Sequence, residues 1–134
     1  MTVHSCVLDL RWGDCDQLGH INNVYYLEYA QEARLRYFHD MKDQGAALGP
    51  VVVRRTDITF DRPLFYESLA IEVRSSIKHV GNTSFTMRQQ IFDREGVQYA
   101  SIDVVIVVVD LKANEPKPIP EEIRTILEER LATS

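Results

Sequence analysis

Residues 12–23 read WGDCDQLGHINN and form the most informative stretch of this chain. The stretch holds two carboxylates, an imidazole, two glycines and two consecutive asparagines. Charged and strongly polar side chains are rarely chosen to fill a protein core. Their density here therefore indicates a chemical site rather than a segment that only builds the fold.

The segment that follows, residues 24–44, has apolar or small residues spaced three and four positions apart, as on one face of an α-helix. Either Asn22 or Asn23 is a suitable N-cap for this helix. Gly45, followed by Gly49-Pro50, marks its end. The predicted face consists of Tyr26, Tyr29, Ala30, Ala33, Tyr37 and Met41. At 1.5 Å per residue the helix is about 30 Å long, which suits the centre of a small fold.

The rest of the chain is mostly β-strand in pattern, with β-branched and aromatic residues alternating with polar ones between turn residues. The predicted strands are residues 3–12, 51–62, 69–79, 83–92 and 97–110. Residues 104–109 are entirely apolar, so we expect burial on both faces there. Residues 121–132 have the apolar spacing of a short helix. The fold class is therefore α+β, with a curved antiparallel sheet wrapped around one long central helix and a short C-terminal helix.

The composition narrows the class of protein. A length of 134 residues fits one domain over residues 1–134. The formal net charge of −5 argues against a nucleic-acid partner, and residues 104–109 are too few to cross a membrane. Cys6 and Cys15 have neither metal-ligand nor C-x-x-C spacing, and the N-terminus lacks a signal-peptide pattern. We therefore expect a cytoplasmic protein without a metal or cofactor.

Residues 11–38 resemble the hot-dog thioesterases, namely the 4-hydroxybenzoyl-CoA thioesterase group and its acyl-CoA and acyl-ACP relatives. The family pattern is an aromatic residue, a small residue, Asp, any residue, Asp and, after two further residues, Gly. Here those positions hold Trp12, Gly13, Asp14, Cys15, Asp16 and Gly19. Asp16 followed by residues 20–23, HINN, also resembles the plant-type acyl-ACP branch. The resemblance implies a hot-dog fold and hydrolysis of an acyl-CoA or acyl-ACP thioester.

The resemblance also assigns roles to residues. It implies that Asp16 is the catalytic carboxylate and that the helix N-terminal amide of Asn23 polarises the thioester carbonyl. We expect His20 or Asn22 to orient the water or the carbonyl. In this family the acyl slot lies between two protomers, so a homodimer, or a homotetramer built as a dimer of dimers, is expected. Residues 56–65 of the partner would then form the opposite wall.

Substrate contacts are predicted from residue type and position. Phe60, Phe65 and Phe85 are candidates for lining an acyl tunnel. The hydroxybenzoyl branch has a basic run for the CoA phosphates where this chain has residues 80–85, with only Lys78 nearby. That difference leaves acyl-ACP open as the carrier, as well as CoA bound through Arg54, Arg55, Arg62 or Arg88. The predicted substrate-binding set is Gly19, Tyr26, Phe60, Arg62, Phe65, Lys78 and Phe85.

Other interpretations stay open for these residues. Asp14 and Asp16 could cap turns, and His20 could be a structural hydrogen-bond donor. Cys15 could act as a nucleophile with His20 and Asn22. Strand alternation through residues 12–16 would turn its thiol away from both carboxylates. The alternative function is a non-catalytic hot-dog dimer that binds an acyl thioester or a lipid, and a dehydratase is a weaker third alternative.

Overall fold

The computed structural model describes residues 3–132. The predicted order of a strand, a long helix, four strands and a short helix is confirmed, with one further two-residue strand before the short helix. Single 3-10 turns at Trp12–Asp14 and Tyr66–Ser68 interrupt the connections. The elements are β1 (Val3–Asp9), α1 (Asn23–Asp43), β2 (Val51–Phe60), β3 (Ala70–Val80), β4 (Ser84–Phe92), β5 (Gln98–Asp110), β6 (Glu115–Pro116) and α2 (Glu121–Glu129).

The strands form one antiparallel sheet in the order β1-β3-β4-β5-β2, and the short β6 pairs with β5. Residues of β3, β4 and β5 alternate between buried and partly exposed positions along almost their whole length. That alternation places one face of the sheet against α1 and the other outside, as expected for a half-buried antiparallel sheet. The two edge strands are β1 and β2.

α1 lies on the inner face of the sheet. All six residues of its predicted apolar face are buried, and Ala30 and Ala33 are completely inaccessible to solvent. Small side chains at these two positions let the helix backbone approach the sheet closely. The Nε2 of Gln89 on β4 donates to the carbonyl of Ala30 at 2.8 Å and to Oγ of Ser75 on β3 at 3.1 Å. This buried polar group fixes the height of α1 over the sheet, because an unpaired amide there would be costly.

The predicted boundaries hold to within one residue except at three ends. The first strand was expected to reach residue 12, but β1 ends at Asp9 because the turn at residues 12–14 follows it. The second strand was expected to reach residue 62. It ends at Phe60, since the amides of residues 61 and 62 both turn to the carbonyl of Tyr99. α2 ends at Glu129 instead of 132.

Burial of residues 104–109 on both faces is confirmed only in part. The inner-face residues Val104, Ile106 and Val108 are buried, and on the outer face Val107 is buried as well. Val105 and Val109 are only half-buried. Both helices send their apolar residues into the same inner core, which includes Ile123 and Leu127 of α2. Within residues 3–132, no helix is long and apolar enough to cross a membrane.

Candidate active site at the start of the central helix

The stretch singled out in the sequence forms a loop that is held at both ends. The amide of Leu10 donates to the carbonyl of Leu69, and the amide of Ile21 donates to the carbonyl of Leu64. Inside the loop, Cys15 pairs with Ile21 as an isolated β-bridge. The loop is therefore held between the end of β1, the start of α1 and the 61–69 connection. Its polar groups have fixed positions as a result.

Asp14 and Asp16 occupy different environments. Asp14 is buried, and its Oδ2 accepts from Nε of Arg11 at 2.9 Å and from the hydroxyl of Tyr29 at 2.7 Å. Asp16 is exposed. Strand alternation through residues 12–16 would put both side chains on the same side, but residues 12–14 form a 3-10 turn and do not continue the strand. Asp14 is thus a structural carboxylate, and Asp16 is the one that solvent or a ligand can reach.

One oxygen of Asp16 is fixed by the loop backbone. Oδ1 accepts from the amide of Leu18 at 2.9 Å and from the amide of His20 at 3.2 Å. The backbone amide of Asp16 also donates to the carbonyl of His20 at 2.7 Å. Among the hydrogen bonds of residues 3–132, none uses Oδ2. The carboxylate is therefore oriented through one oxygen and presents the other for chemistry.

Gly19 closes this turn. Its φ is +81°, in the left-handed region where a residue with a Cβ is strained. Its amide donates to the carbonyl of Asp16 at 3.1 Å. The structure gives Gly19 this conformational role, and its predicted contact with substrate stays a prediction.

The N-terminus of α1 begins next to the same loop. Asn22 is the N-cap, as expected for one of the two asparagines, and its Oδ1 accepts from the amide of Val24 at 3.2 Å. The amide of Tyr25 donates to the carbonyl of Asn22. The amide of Asn23 donates to no partner within the described part of the chain. First-turn amides of a helix lack partners inside the helix and lie at the positive end of its dipole, so the Asn23 amide is free for an oxygen that carries negative charge.

Four of the predicted side chains lie together beside this helix start. The ring of His20 packs edge-on against Phe65, with 4.4 Å between centroids, and Tyr26 packs in the same way on Phe60 at 5.1 Å. The hydroxyl of Tyr26 donates to the carbonyl of Arg62 and accepts from the amide of Leu64. Tyr26 is buried, whereas the two phenylalanines are more than 40% exposed. Phe60 and Phe65 thus offer apolar surface, while Tyr26 joins α1 to the 61–69 connection.

Two predicted substrate-binding residues lie elsewhere. Phe85 is completely buried and packs against Phe38, near the C-terminal half of α1. Lys78 lies at the β3 bulge, next to Ile77, whose carbonyl accepts from the amide of Ala132. Neither is brought to the Asp16 loop within one chain, and their predicted roles stay predictions.

A cavity of about 650 Å³ opens beside Asp16. Trp12, Tyr66 and Glu67 line it together with residues of the loop, and Trp12 is 76% exposed. Sequence reasoning placed Trp12 in the motif without a role and missed Tyr66 and Glu67. The only signal for the last two was their place in the connection after β2, which shows no periodicity.

Cys15 lines the same cavity and also packs against the apolar core. Because residues 12–14 do not continue the strand, strand alternation does not fix the direction of its thiol. Burial raises the pKa of the Cys15 thiol, and the carboxylates of Glu67, Asp16 and Asp14 raise it further. A nucleophilic cysteine needs a lowered pKa. These surroundings count against a thiolate mechanism. Within residues 3–132, no cluster of three or more His, Cys, Asp or Glu side chains is placed to hold a metal.

The arginines proposed for the CoA phosphates are not equivalent. Arg88 makes two hydrogen bonds to the carboxylate of Asp103, and Arg55 pairs with Asp57 at 3.0 Å. Arg54 and Arg62 are exposed, and neither takes part in an ion pair of the described residues. Arg62 is next to the Phe60–Phe65 surface, so it is the better placed of the two for a phosphate near the site.

Comparison with solved structures identifies proteins of the same architecture. A predicted thioesterase from Bacillus stearothermophilus has a TM-score of 0.87 and 26% identity, covering 98% of both chains. The PA5185 protein of Pseudomonas aeruginosa has a TM-score of 0.82 and 25% identity, covering 98% of this chain and 93% of that one. A thioesterase from Thermus thermophilus, in complex with coenzyme A and Zn, has a TM-score of 0.76 and 28% identity over 99% and 96% of the two chains.

These similarities confirm the hot-dog fold predicted from the motif. A search of curated proteins found no match. The sequence model of the thioesterase-like superfamily matches residues 10–127, which include the Asp16 loop, most of the sheet and α1. This match covers most of the chain, and on that basis the chain belongs to the thioesterase-like superfamily.

Proposed function

We propose that this protein hydrolyses an acyl-CoA or acyl-ACP thioester to a free acid and a thiol, with Asp16 as the catalytic carboxylate. The observation that carries the proposal is the placement of two groups on one short loop. Oδ2 of Asp16 is accessible and unpaired in the described residues, and the unpartnered Asn23 amide follows a few residues later. A thioesterase needs both a base or nucleophile and an oxyanion donor, and these groups supply them.

The reaction follows from these positions. The thioester carbonyl accepts from the Asn23 amide, which stabilises the negative charge that develops on its oxygen; removing one such donor typically costs about 100–1000-fold in rate. Asp16 either removes a proton from the attacking water or attacks the carbonyl carbon itself. The carbon–sulfur bond then breaks and the thiolate leaves, taking up a proton. If Asp16 is the nucleophile, this step leaves an anhydride between the acyl group and Asp16, and a water molecule then hydrolyses it to the free acid and restores the carboxylate. His20, next to Phe65, orients the water or the carbonyl.

The site is completed by a second copy of the chain. β2 is a ten-residue edge strand, and Val52, Val53 and Phe60 on it are exposed. An edge of this length with apolar side chains is a surface that proteins normally cover. Pairing of two β2 strands forms a homodimer and brings residues 56–65 of the partner to the acyl slot. A homotetramer built as a dimer of dimers would cover further exposed apolar surface of the protein in the same way.

CoA is the carrier to test first. The Thermus thermophilus thioesterase of the same fold is in complex with coenzyme A. Arg62, which has no ion-pair partner among the described residues, lies beside the proposed slot. Acyl-ACP is the alternative carrier. The two cysteines are free thiols, in agreement with the cytoplasmic location expected from the sequence.

The test is thiol release from a panel of acyl-CoAs with short, long and aromatic acyl groups, comparing wild type with Asp16→Asn. Asp110→Asn is a matched control, because Asp110 also accepts two backbone amides through Oδ1, from Lys112 and Ala113. We expect Asp16→Asn to lower turnover by about 100-fold or more and Asp110→Asn to leave turnover unchanged. Asp16→Asn with normal turnover and an intact fold would remove Asp16 from the mechanism.

Acyl-ACP substrates are assayed in the same way if no acyl-CoA is hydrolysed. Binding of acyl thioesters without hydrolysis of either kind would identify the non-catalytic binding dimer instead.

A further inference from the structure

The two flanks of α1 differ in what they face. On one flank, Oδ2 of Asp40 forms a hydrogen bond with Nε2 of His4 on β1 at 2.6 Å. Glu28 of the same flank lies near Arg11, just after β1. Leu27 and Arg34 lie on the opposite flank, seven residues and therefore about two helical turns apart. This second flank faces the side of the sheet formed by β5 and β2.

The inner face of β2 is apolar along this flank. In the sheet register Ile58 is opposite Ile102, and Phe60 is opposite Ala100, and both β5 residues are buried on the inner face. Ile58 and Phe60 therefore point to the same side as α1. Phe60 packs on Tyr26 of α1 and still remains 44% exposed. Leu27 on this flank of α1 and Phe60 on β2 are both partly exposed, so the gap between the flank and the inner face of β2 has apolar side chains on both sides. This gap, called the groove below, begins at the Tyr26–Phe60 contact near the start of α1.

Arg34 lies at the far part of this groove. Its Nη1 donates to Oε1 of Gln89 at 3.0 Å. Gln89 is opposite Ile102, which is in turn opposite Ile58, so these three residues form one row across the sheet. Arg34 is therefore level with the Ile58 row. It is eleven residues, or about 16 Å along the helix axis, beyond Asn23.

The charge of Arg34 has no counter-charge in the chain that the structure describes. None of the nine ion pairs there includes it. Its one side-chain partner, Gln89, is neutral, and burial lowers the pKa of the guanidinium with no carboxylate to oppose this effect. A half-buried cation without an anion is unfavourable. A guanidinium has five donors in a planar fork that matches a carboxylate.

We propose that Arg34 is a specificity-determining residue that binds a carboxylate at the far end of the acyl group. The preferred substrates are then thioesters of dicarboxylic acids. This inference rests on the proposed thioesterase function and adds the class of acyl group to it. The apolar walls at Leu27, Ile58 and Phe60 hold the methylene chain, and Arg34 neutralises the distal charge. A plain acyl chain of the same length would leave the guanidinium unpaired.

The test compares pairs of acyl-CoAs of equal chain length, one with a terminal methyl group and one with a terminal carboxylate, over a series of lengths. The measured quantity is the ratio of the two kcat/KM values. We expect wild type to favour the dicarboxylic member at one or two lengths. Arg34→Met should lower this ratio by about 10- to 100-fold, and Arg34→Lys should lower it less. Arg36→Met is the matched control, because Arg36 is on the β1 flank near Glu32, and it should keep the wild-type ratio.

A binding measurement tests the Arg34 site separately from the proposed hydrolysis. If Arg34→Met fails to fold, Arg34→Lys is used in its place. Free dicarboxylic acids should raise the Tm of Asp16→Asn protein, and much less so when Arg34 is also replaced. If no thioester is hydrolysed but this Tm shift is found, the thioesterase proposal fails and the Arg34 site stands.

Two results would overturn the Arg34 site. One is an equal preference for both members of every pair in wild type, with no Tm shift from the diacids. The other is an Arg34→Met protein that keeps the wild-type ratio. If that protein also loses the dimer, the counter-charge of Arg34 belongs to the partner subunit.

Discussion

The hydroxyl of Tyr29, in the second turn of α1, donates to Oδ2 of Asp14 at 2.7 Å, and both groups are buried. Burial raises the pKa of Tyr29 well above its usual value, and the hydrogen bond to Asp14 adds to this effect. Tyr29 therefore stays a donor at any physiological pH. The amide of Asn22 also donates to the carbonyl of Asp14 at 2.9 Å. Asp14 thus holds the loop against the helix, whereas Asp16 stays exposed.

Replacing Tyr29 by Phe removes the donor and leaves a buried carboxylate oxygen with one partner fewer. We expect the free energy of unfolding to fall by about 1–3 kcal/mol, measured by urea denaturation. Tyr25→Phe is the control, because no hydrogen bond of residues 3–132 uses the Tyr25 hydroxyl; it should change stability by less than about 0.5 kcal/mol. Equal effects of the two variants would show that the Asp14 contact contributes nothing.

The two asparagines at the helix start should respond differently. Asn22→Ala removes the side-chain cap on the Val24 amide and should cost about 1 kcal/mol of stability. It should also lower turnover, because the first turn, which carries the proposed oxyanion donor, is then less well fixed. Asn23→Ala keeps the backbone amide, so both quantities should stay near wild type. Loss of turnover in Asn23→Ala, at wild-type stability, would mean that its carboxamide, and not its backbone amide, is the functional group.

Gly19 and Gly13 form a matched pair in the Asp16 loop. A Cβ at either position would meet no atom within 4 Å, but only Gly19 has a left-handed φ, at +81°. Gly19→Ala should therefore destabilise the turn by about 1–2 kcal/mol through backbone strain alone, and it should lower turnover by moving Asp16. Gly13→Ala should change neither quantity. Thermal unfolding and the thiol-release assay measure stability and turnover of both variants. Equal stability and equal turnover of the two variants would refute the role assigned to the turn.

The hairpin at Asp93 gives a pH-dependent prediction. Burial raises the pKa of Asp93, but hydrogen bonds from the Val97 amide, the Tyr99 hydroxyl and the Glu95 amide outweigh burial and lower it overall. A lowered carboxylate pKa stabilises the fold at pH values above the unfolded-state pKa, about 3.9. This contribution is lost as the pH falls through the folded-state pKa.

Asp93→Asn should therefore be less stable than wild type at pH 7, and the difference should shrink below about pH 4. Urea denaturation of both proteins at about pH 7, pH 5 and pH 3.5 measures it. A difference that stays constant over this range would show that hydrogen-bond geometry, and not ionisation, is responsible.

Much of the fold could be predicted because the periodic segments were long. The face of α1 from Tyr26 to Met41 and the alternation in β3 and β4 each carry many concordant residues. The 3-10 turn at residues 12–14 could not be predicted in this way, because three residues are too few to show a period. That turn places Asp14 and Asp16 in different environments. The environment of each carboxylate therefore became known only from the structure. The role proposed for Arg34 could not be predicted from the sequence either, because a charged residue beside an apolar stripe has the same pattern as an ordinary solvent-exposed helix position.

The pairing of β2 with β5 has a consequence for synthesis of the chain. Val51 is opposite Val108 and Phe60 is opposite Ala100, so β2 finds its hydrogen-bonding partner only in a strand that begins at Gln98. At roughly 5–20 residues per second, the ribosome needs about 2 to 7 seconds to make the residues between β2 and β5. During that interval β2 is already made but has no strand to join. A nascent chain that stalls before residue 98 therefore exposes an unpaired β2, with its apolar residues 51–53, 58 and 60, to chaperones and proteases, and the sheet closes only near the end of translation.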